Sequence, residues 1–431
     1  MTFAQLVALS VLFAVVVALI WGKTRSDVVA LAGAAVLLGT RTVRPVEVQG
    51  AFASPAIIAL ASLFVIVYAM ELSGILGLLI RVSVRLCGRL GAKGLWLVIA
   101  GAGAVSAFLN NTPIVVLSAP IVRDVAQSMN VSPKRFLIPL SYATILGGAC
   151  TLIGTSTNLL VNDMARNAGQ PAFGMFEATP VGLAIGLAGG LYLFLFGGRL
   201  LGPDSTTEAP KVTARDVANA AGDDPNVFPP SAPLNVGRAI TSLVVFIAVV
   251  LVAALGYAPI AASAFSGAVL LVLLGVISAE DAYKGLRPEI LLLIAGMVVV
   301  GLSLQVTGLA TAATDALRTW VTSVSPLAAM AVVYGATLLL TEVLSNAAVA
   351  VLLTPIAVAL AESLGVSPRP FLVAVMMAAS AAFATPFGYQ TNVLVYQVGR
   401  YSYMDFVRIG VPLNLLTWAV GVAVIPLFFP F

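Results

Sequence analysis

The stretch Ser106–Leu137, SAFLNNTPIVVLSAPIVRDVAQSMNVSPKRFL, decides the fold of this 431-residue chain because a related stretch follows 235 residues later. The second copy is Thr341–Leu372, TEVLSNAAVAVLLTPIAVALAESLGVSPRPFL. About 13 of the 32 positions are identical, including Asn111 with Asn346 and a Val-Ser-Pro near the end of both copies. Apolar composition explains matching Leu and Val, but it does not explain coincident Asn, Ser and Pro. The chain therefore contains an internal repeat.

A second similarity lies downstream of each copy. The sequence of Gly154–Asn158 is GTSTN, and that of Gly388–Asn392 is GYQTN, at an offset of 234 residues. Glycine lets the backbone leave helical geometry, and an Asn side chain can bond the backbone groups that a break leaves unpaired. We therefore expect one broken helix in each half. The supporting residues of the two breaks are Asn158, Pro386, Thr391 and Asn392.

The composition predicts that most of the chain lies in a lipid bilayer. Hydrophobic residues make up 60% of the sequence and charged residues only 9%, whereas a soluble domain carries about 25% charged residues. Apolar runs near the ~20 residues that span hydrocarbon recur along the chain. The sequence thus predicts an all-α membrane protein with about 10–12 membrane elements, and its net charge of +4 gives no reason to expect a nucleic-acid partner.

One long polar stretch, residues 202–237, divides the chain nearly in half and has the composition of a linker. The repeat then sets the remaining boundaries. The predicted organisation is transmembrane helices in 1–50, a first repeat in 51–201, the linker in 202–237, transmembrane helices in 238–287, and a second repeat in 288–431.

The basic residues predict that the two repeats are inverted relative to each other. Only Arg318 and Arg369 flank the second repeat's polar segment. The first repeat's segment is flanked by Arg81, Arg85, Arg89, Lys93, Arg123, Lys134 and Arg135. Because Lys and Arg mark the cytoplasmic ends of membrane segments, the flanks of the two repeats should lie on opposite sides. Inverted repeats with broken helices that meet at mid-membrane are a recurring architecture of secondary transporters.

Each repeat should contain a re-entrant helical hairpin, over residues 98–122 in the first half and 327–362 in the second. The arms are too short to cross the bilayer alone, and the polar tips Leu109–Pro113 and Leu344–Ala347 would stop at mid-depth. Asn and Thr cap a helix that starts at the tip, and Pro113 suits its first position. Such a helix N-terminus attracts an anion, while the carbonyl groups freed at a break can bind sodium.

The acidic residues and the absence of histidine limit the chemistry that the chain can perform. Glu342 lies four residues before Asn346 and is a candidate site for a coupling proton, as is Glu71, although a structural hydrogen bond is the commoner role for such residues. Asp124 and Asp163 lie near predicted membrane ends, where we expect them to be solvated. The chain has no histidine, and its two cysteines are far apart in sequence. We therefore expect neither a metal cluster nor an enzyme.

At these residues the chain resembles the divalent anion:sodium symporter family of the ion transporter superfamily, which also includes citrate and arsenite carriers. In that family each tip is Ser-Asn-Thr, followed by a break similar to Gly-Thr-Pro-Pro-Asn or Ala-Thr-Pro-Pro-Asn. The resemblance covers nearly the whole chain outside the linker. It is strongest to citrate-transporter-like bacterial permeases with GTSTN and GYQTN motifs, often described as sulfate transporters, although the mid-chain regulatory domains that many of these carry are missing here.

The resemblance implies two sodium sites and one anion site. The first sodium site would use Ser106, Asn110, Asn111 and the backbone of Gly154. The second would use Thr341, Ser345, Asn346 and the backbone of Gly388. The substrate would contact Asn110, Asn111, Thr112, Thr155, Ser345, Asn346, Ala347 and Tyr389. The resemblance also implies a homodimer and an elevator-like motion.

Three positions depart from the family pattern. Asn110 replaces a Ser, Ala347 lacks a hydroxyl, and Tyr389 replaces a Thr beside the substrate. A bulkier chamber with fewer hydroxyl groups favours sulfate over a C4 dicarboxylate. The sequence therefore predicts sodium-coupled symport of a small divalent anion, sulfate or dicarboxylate, across the bacterial inner membrane. The alternatives are a proton-coupled carrier, an arsenite-type oxyanion exporter and, less in keeping with paired breaks, a channel.

Overall fold

The computed structural model describes residues 2–21, 24–75, 78, 92–198, 200, 234–309, 312 and 325–431. Most of the predicted linker 202–237 lies outside these residues. Four of the basic residues that predict the inversion also lie outside them, namely Arg81, Arg85, Arg89 and Arg318, as does Cys87.

The described residues form two sets of nine helices in the same order. The first set is α1 Phe3–Trp21, α2 Ser26–Gly39, α3 Pro45–Phe52, α4 Pro55–Leu72, α5 Ala92–Ser106, α6 Asn111–Ser128, α7 Lys134–Gly148, α8 Ser156–Asn167 and α9 Thr179–Phe196. The second set is α10 Val236–Ala254, α11 Ile260–Leu273, α12 Ala279–Gly285, α13 Pro288–Val306, α14 Pro326–Thr341, α15 Asn346–Ser363, α16 Arg369–Ala379, α17 Gln390–Gly399 and α18 Tyr403–Phe428. Each helix therefore has a counterpart nine helices later.

The two halves exchange packing partners. Helix α2 packs on α13 of the other half, and the counterpart α11 packs on α4. In the same way α6 packs on α17, and α15 packs on α8. This reciprocity is typical of two units related by a pseudo-two-fold axis. The buried hydrophobic residues of the two halves accordingly form one cluster.

The all-α membrane fold is confirmed for the described residues, which contain helices and no strand. Six segments are long and apolar enough to cross a membrane, namely 45–72, 179–196, 236–254, 288–306, 346–363 and 403–428. Six shorter apolar helices accompany them. Together they match the predicted 10–12 membrane elements.

The two hairpins are present, and their arms are α5 with α6 and α14 with α15. The second spans 326–363, close to the predicted 327–362. The first spans 92–128 and is longer at both ends than the predicted 98–122. Helix α6 begins at Asn111, so the prediction that Pro113 takes the first helical position is wrong. Proline still fits there because the first-turn N–H groups of a helix need no intrahelical partner.

Both broken helices are also present, as α7–α8 and α16–α17 with non-helical segments 149–155 and 380–389 between them. The last helix of each half packs directly on the break of that half through a glycine. A Cβ added to Gly182 on α9 would lie 2.7 Å from the Cα of Cys150, and one added to Gly410 on α18 would lie 1.9 Å from the carbonyl oxygen of Phe383. A side chain would not fit at either glycine, so these contacts let the last helix of each half lie directly against the break.

Candidate functional site

The first corner of the site is a hydrogen-bonded chain that starts at the tip of the first hairpin. Ser106, the last residue of α5, donates its hydroxyl to Asn111 Oδ1 at 2.5 Å. Asn111 Nδ2 in turn donates to the hydroxyl of Tyr389 at 2.7 Å. Thr155 hydrogen-bonds to the same tyrosine side chain. The chain therefore joins the first tip and first break to the second break, which lies 278 residues further along the sequence.

Carbonyl oxygens crowd around Gly154 in this corner. A Cβ added there would lie 2.5 Å from the oxygen of Gly148, 2.7 Å from that of Ala107 and 2.9 Å from that of Ser106. Asn111 Oδ1 lies beside Gly148, since a Cβ added to that glycine would lie 2.6 Å from it and 3.2 Å from the carbonyl oxygen of Gly154. Only glycine fits at 154. The cluster of uncharged oxygens has the chemistry of a site for a hard monovalent cation.

The second corner repeats the central contact of the first. Thr341, the last residue of α14, lies within hydrogen-bonding distance of Asn346 Oδ1, at 2.9 Å, and of the carbonyl oxygen of Ala379, at 2.6 Å. In both halves a hydroxyl five residues before the Asn therefore contacts its amide oxygen. The N-cap residues are also equivalent, since Asn110 caps α6 and Ser345 caps α15.

In each break an asparagine side chain hydrogen-bonds to a backbone carbonyl group. Asn158 Nδ2 donates to the carbonyl oxygen of Thr151 at 2.9 Å, and Asn392 Nδ2 donates to that of Ala382 at 2.7 Å. The amide oxygen of Asn392 also has a hydrogen-bond partner, because Ser141 on α7 donates to Asn392 Oδ1 at 2.7 Å. Ser141 also lies close to the Thr391 hydroxyl. In the described chain Asn158 Oδ1 has no hydrogen-bond partner. Pro386 is buried within the second break.

Glu342 holds the second break in place. Its Oε1 accepts a hydrogen bond from the Ala384 backbone N–H at 2.8 Å and another from Asn414 Nδ2 at 2.7 Å. Its Oε2 accepts from the Thr385 backbone N–H at 2.9 Å. Both carboxylate oxygens are thus engaged by donors that the break would otherwise leave unpaired. The counterpart position in the first half is Ala107, which has no carboxylate.

A cavity of about 730 Å³ leads to both tips. On the hairpin side its wall contains Asn110, Thr112, Ser345 and Gln390. Thr112 and Gln390 lie 3.2 Å apart through their side-chain oxygens, so their hydrogen bond joins the halves. The facing wall comes from the start of α2, from α4, from the end of α12 and from the start of α13. Its charged residues are Arg25, Asp27, Glu71, Lys284, Arg287 and Glu289.

The predicted site residues therefore fall into three groups. Asn110, Thr112 and Ser345 line the cavity, whereas Ser106, Asn111, Thr155 and Thr341 are buried behind it. Ala347, Asn346, Gly388 and Tyr389 are partly buried.

Sequence reasoning missed several residues that the structure places at the site. Gln390 follows Tyr389 inside a motif that the repeat already identifies, so its position was a usable signal. Arg287 and Asn414 lie far from the motifs in sequence, and no local pattern points to them. Asp124 is exposed as expected, but the prediction that Asp163 is solvated is wrong because it is only 4% exposed where α8 packs on α4.

Comparisons with known proteins agree with this architecture. The sequence profile of the citrate transporter family matches residues 16–365 and 345–431. The chain is 24% identical to the uncharacterized transporter sll0640 of Synechocystis, over 90% of this chain and 91% of that one. It is 35% identical to sodium/sulfate cotransporter 1 of Chlamydomonas reinhardtii, but over 36% of this chain and 18% of that one.

A solved structure has the same fold. The YdaH transporter of Alcanivorax borkumensis superposes with a TM-score of 0.61 at 16% identity, covering 96% of this chain and 98% of that one. The family profile covers well over half of the chain. The structure of the present chain contains the paired hairpins and breaks that the sequence predicts. The protein is a multi-pass membrane transporter and belongs to the citrate transporter family.

Proposed function

We propose that the protein is a sodium-coupled symporter that carries a small divalent anion, sulfate before dicarboxylate, across the bacterial inner membrane by alternating access. We also propose, from the family resemblance alone, that it works as a homodimer. The observation that carries the proposal is the convergence of two capped helix N-termini, those of α6 and α15, on one cavity.

The two N-termini support anion binding. Asn110 and Ser345 are their N-caps, and both line the cavity. Each helix terminus presents unpaired N–H groups and the positive end of its dipole, which favour an anion. No Lys or Arg belongs to either tip, so dipoles, amides and hydroxyls would hold the substrate. Such a site binds an anion weakly unless a cation is bound close by.

The oxygen cluster around Gly154 supports sodium as that cation. The carbonyl oxygens of Ser106, Ala107 and Gly148 surround the Gly154 backbone, and the amide oxygen of Asn111 lies beside the neighbouring Gly148. The second corner offers Thr341, Asn346 and the carbonyl oxygen of Ala379. The name of the Chlamydomonas relative supports the same ion and anion.

The distribution of basic residues supports a cavity that opens to the cytoplasm. Following the described helices back and forth through the membrane puts four basic residues on one side, Arg41, Arg44, Arg166 and Arg369. It puts the remaining described ones on the other side, Arg25, Lys93, Arg123, Lys134, Arg135, Arg238, Lys284, Arg287, Arg400 and Arg408. The side richer in basic residues is the cytoplasmic one, and the cavity wall contains three of its members.

Uptake of labelled sulfate by proteoliposomes, with and without an inward sodium gradient, tests the proposal. We expect uptake to depend on the sodium gradient, and we expect that a proton gradient cannot replace it. Unlabelled sulfate should compete with the labelled sulfate more strongly than succinate does. Sulfate uptake that is indifferent to sodium would contradict the coupling.

Tyr389 is expected to set the size of the accepted anion. Its hydroxyl is bonded to Asn111 and Thr155, so its ring fills space between the first tip and the second break. Tyr389→Thr restores the residue of the family pattern and removes that bulk. We expect it to shift the ratio of succinate to sulfate uptake about 10-fold towards succinate, on the order of the 1–3 kcal/mol that a pocket contact is worth in specificity.

Tyr389→Phe is the matched control, since it keeps the ring and removes only the hydroxyl. We expect it to weaken the uptake of both anions without changing their ratio. If both variants leave the ratio unchanged, the tyrosine is not the determinant of size.

A further inference from the structure

Asp163 is a buried carboxylate that the proposed binding site does not use. It lies on α8, is 4% exposed, and accepts hydrogen bonds from the Ser54 side chain and the Ala56 backbone N–H. Ser54 is the N-cap of α4, so the carboxylate sits at the positive end of that helix dipole. Its Oδ2 has no hydrogen-bond partner among the described residues. The opposite charge of Arg166 on the same helix also acts on Asp163. A buried carboxylate with one oxygen lacking a partner is nevertheless costly in a membrane protein, which makes it a candidate for a functional role.

The internal repeat identifies the counterpart of this contact in the second half. Ser54 precedes Pro55, the first residue of α4, and Arg287 precedes Pro288, the first residue of α13. Asp163 on α8 corresponds to Gln397 on α17, 234 residues later. A symmetric molecule would pack α17 on the start of α13 as it packs α8 on the start of α4.

The molecule is not symmetric at this point. Helix α8 packs on both α4 and α13, whereas α17 packs on neither to a comparable extent. Gln397 is exposed where Asp163 is buried. The cavity lies in the corresponding gap, because Arg287, Pro288 and the first residue of α17 all line it. One side of the site is therefore closed by helix packing, and the equivalent side is open.

We propose that these two equivalent places are the two gates of the transporter, and that Asp163 is the residue that closes one of them. In this conformation the gate between α8 and α4 is shut and the gate between α17 and α13 is open. Transport exchanges the two: α17 closes on α13 while Asp163 leaves Ser54 and meets water. This inference rests on the proposed alternating access.

The chemistry of the contact suits a reversible gate. Two donors at a helix N-terminus stabilise the carboxylate enough to hold α8 against α4. The oxygen without a partner gains hydrogen bonds to water when the gate opens, which offsets the loss of the two donors. A permanently packed interface would be expected to satisfy both oxygens or to be apolar.

Cross-linking the gate tests the inference. In full-length protein with Cys87 and Cys150 replaced by alanine, Ser54→Cys and Asp163→Cys are combined and joined with a short bifunctional thiosulfonate. We expect cross-linking to lower sodium-driven sulfate uptake at least 10-fold, and reduction to restore it. The control pair is Gln5→Cys with Thr307→Cys, which joins α1 to the end of α13 at a 3.1 Å contact outside the gates. Cross-linking that pair should leave uptake unchanged.

A second measurement does not depend on knowing the anion. Asp163→Cys is labelled from the extracytoplasmic face with a membrane-impermeant maleimide, before and after Arg287→Cys and Gln397→Cys are cross-linked in the same protein. We expect the second cross-link to raise the labelling rate at least 10-fold, because closing one gate opens the other.

Each outcome decides one claim. Full uptake by the protein with residues 54 and 163 cross-linked would contradict the proposed gate. A labelling rate that does not change when residues 287 and 397 are cross-linked would contradict it as well. If the reduced double variant and the unmodified protein transport neither sulfate nor succinate, the proposed substrate class is wrong, and the labelling experiment alone decides the gate.

Discussion

Replacing Asn111 with alanine is expected to lower sodium-driven anion uptake about 100-fold without changing the amount of folded protein in the membrane. The change removes an amide that accepts from Ser106 and donates to Tyr389. Two hydrogen bonds at roughly 1–1.5 kcal/mol each amount to about 2–3 kcal/mol, which approaches two orders of magnitude in an equilibrium constant. The same side chain would supply an oxygen to the proposed sodium site, so uptake should lose its sodium dependence as well.

Asn346→Ala is the counterpart in the second half and should lower uptake at least about 10-fold, since it removes the contact with Thr341. The smaller effect is expected because Asn111 also donates a hydrogen bond to Tyr389 of the other half, whereas the described contact of Asn346 is with Thr341 in its own half. Asn167→Ala is a suitable control because Asn167 is exposed at the end of α8. Membrane insertion is followed by the yield and elution profile of the purified protein. Near-normal uptake by Asn111→Ala would count heavily against a site at the hairpin tips.

Replacing Glu342 should lower the thermal stability of the protein, because its main role is to bind the backbone of the second break. Glu342→Ala removes the acceptor of two backbone N–H groups and of the Asn414 amide. Leaving buried donors unpaired costs about 1–3 kcal/mol each, so we expect a loss of several degrees in the melting temperature and little folded protein. Thermal unfolding of the purified protein in detergent measures this.

Glu342→Gln separates this structural role from a role in proton transfer. Glutamine keeps one acceptor oxygen but turns an NH2 group towards N–H donors, so the melting temperature should still fall. A variant with unchanged thermal stability, and with uptake that no longer responds to a proton gradient, would contradict the structural role and support the proton-coupled alternative. Glu71→Gln is the comparison, because Glu71 is a carboxylate that lines the cavity from α4.

The hairpins and breaks could be predicted from the sequence because their signals are local. Asn, Pro and Gly interrupt apolar runs at matching offsets, and the N-caps Asn110 and Ser345 are found where the repeat puts them. The length of the first hairpin was less predictable. Its arms extend into flanking polar residues, and helix propensity with tertiary packing rather than hydropathy sets where they end.

The remaining parts of the site depend on how helices that are distant in sequence pack on each other. Tyr389 reaches Asn111, and Asn414 reaches Glu342 over 72 residues, through helix contacts that no periodicity encodes. Asp163 was expected in water because it lies near a helix end, yet the start of α4 covers it. Charged residues at the start of α13 join the cavity for the same reason. The packing between distant helices, within a repeat as well as between repeats, is thus the part that a single sequence does not predict.

The orientation of the two halves is the central claim, because two corners that face one anion from opposite sides require it. Gln127 and Glu362 occupy equivalent places, 235 residues apart, in the last turns of α6 and α15, and both are exposed. Each is replaced by cysteine in a protein whose Cys87 and Cys150 are alanine, and a membrane-impermeant maleimide is applied to right-side-out and inside-out vesicles. We predict that Gln127→Cys reacts only from the cytoplasmic face and Glu362→Cys only from the opposite face. Reaction of both from the same face would contradict the inverted arrangement.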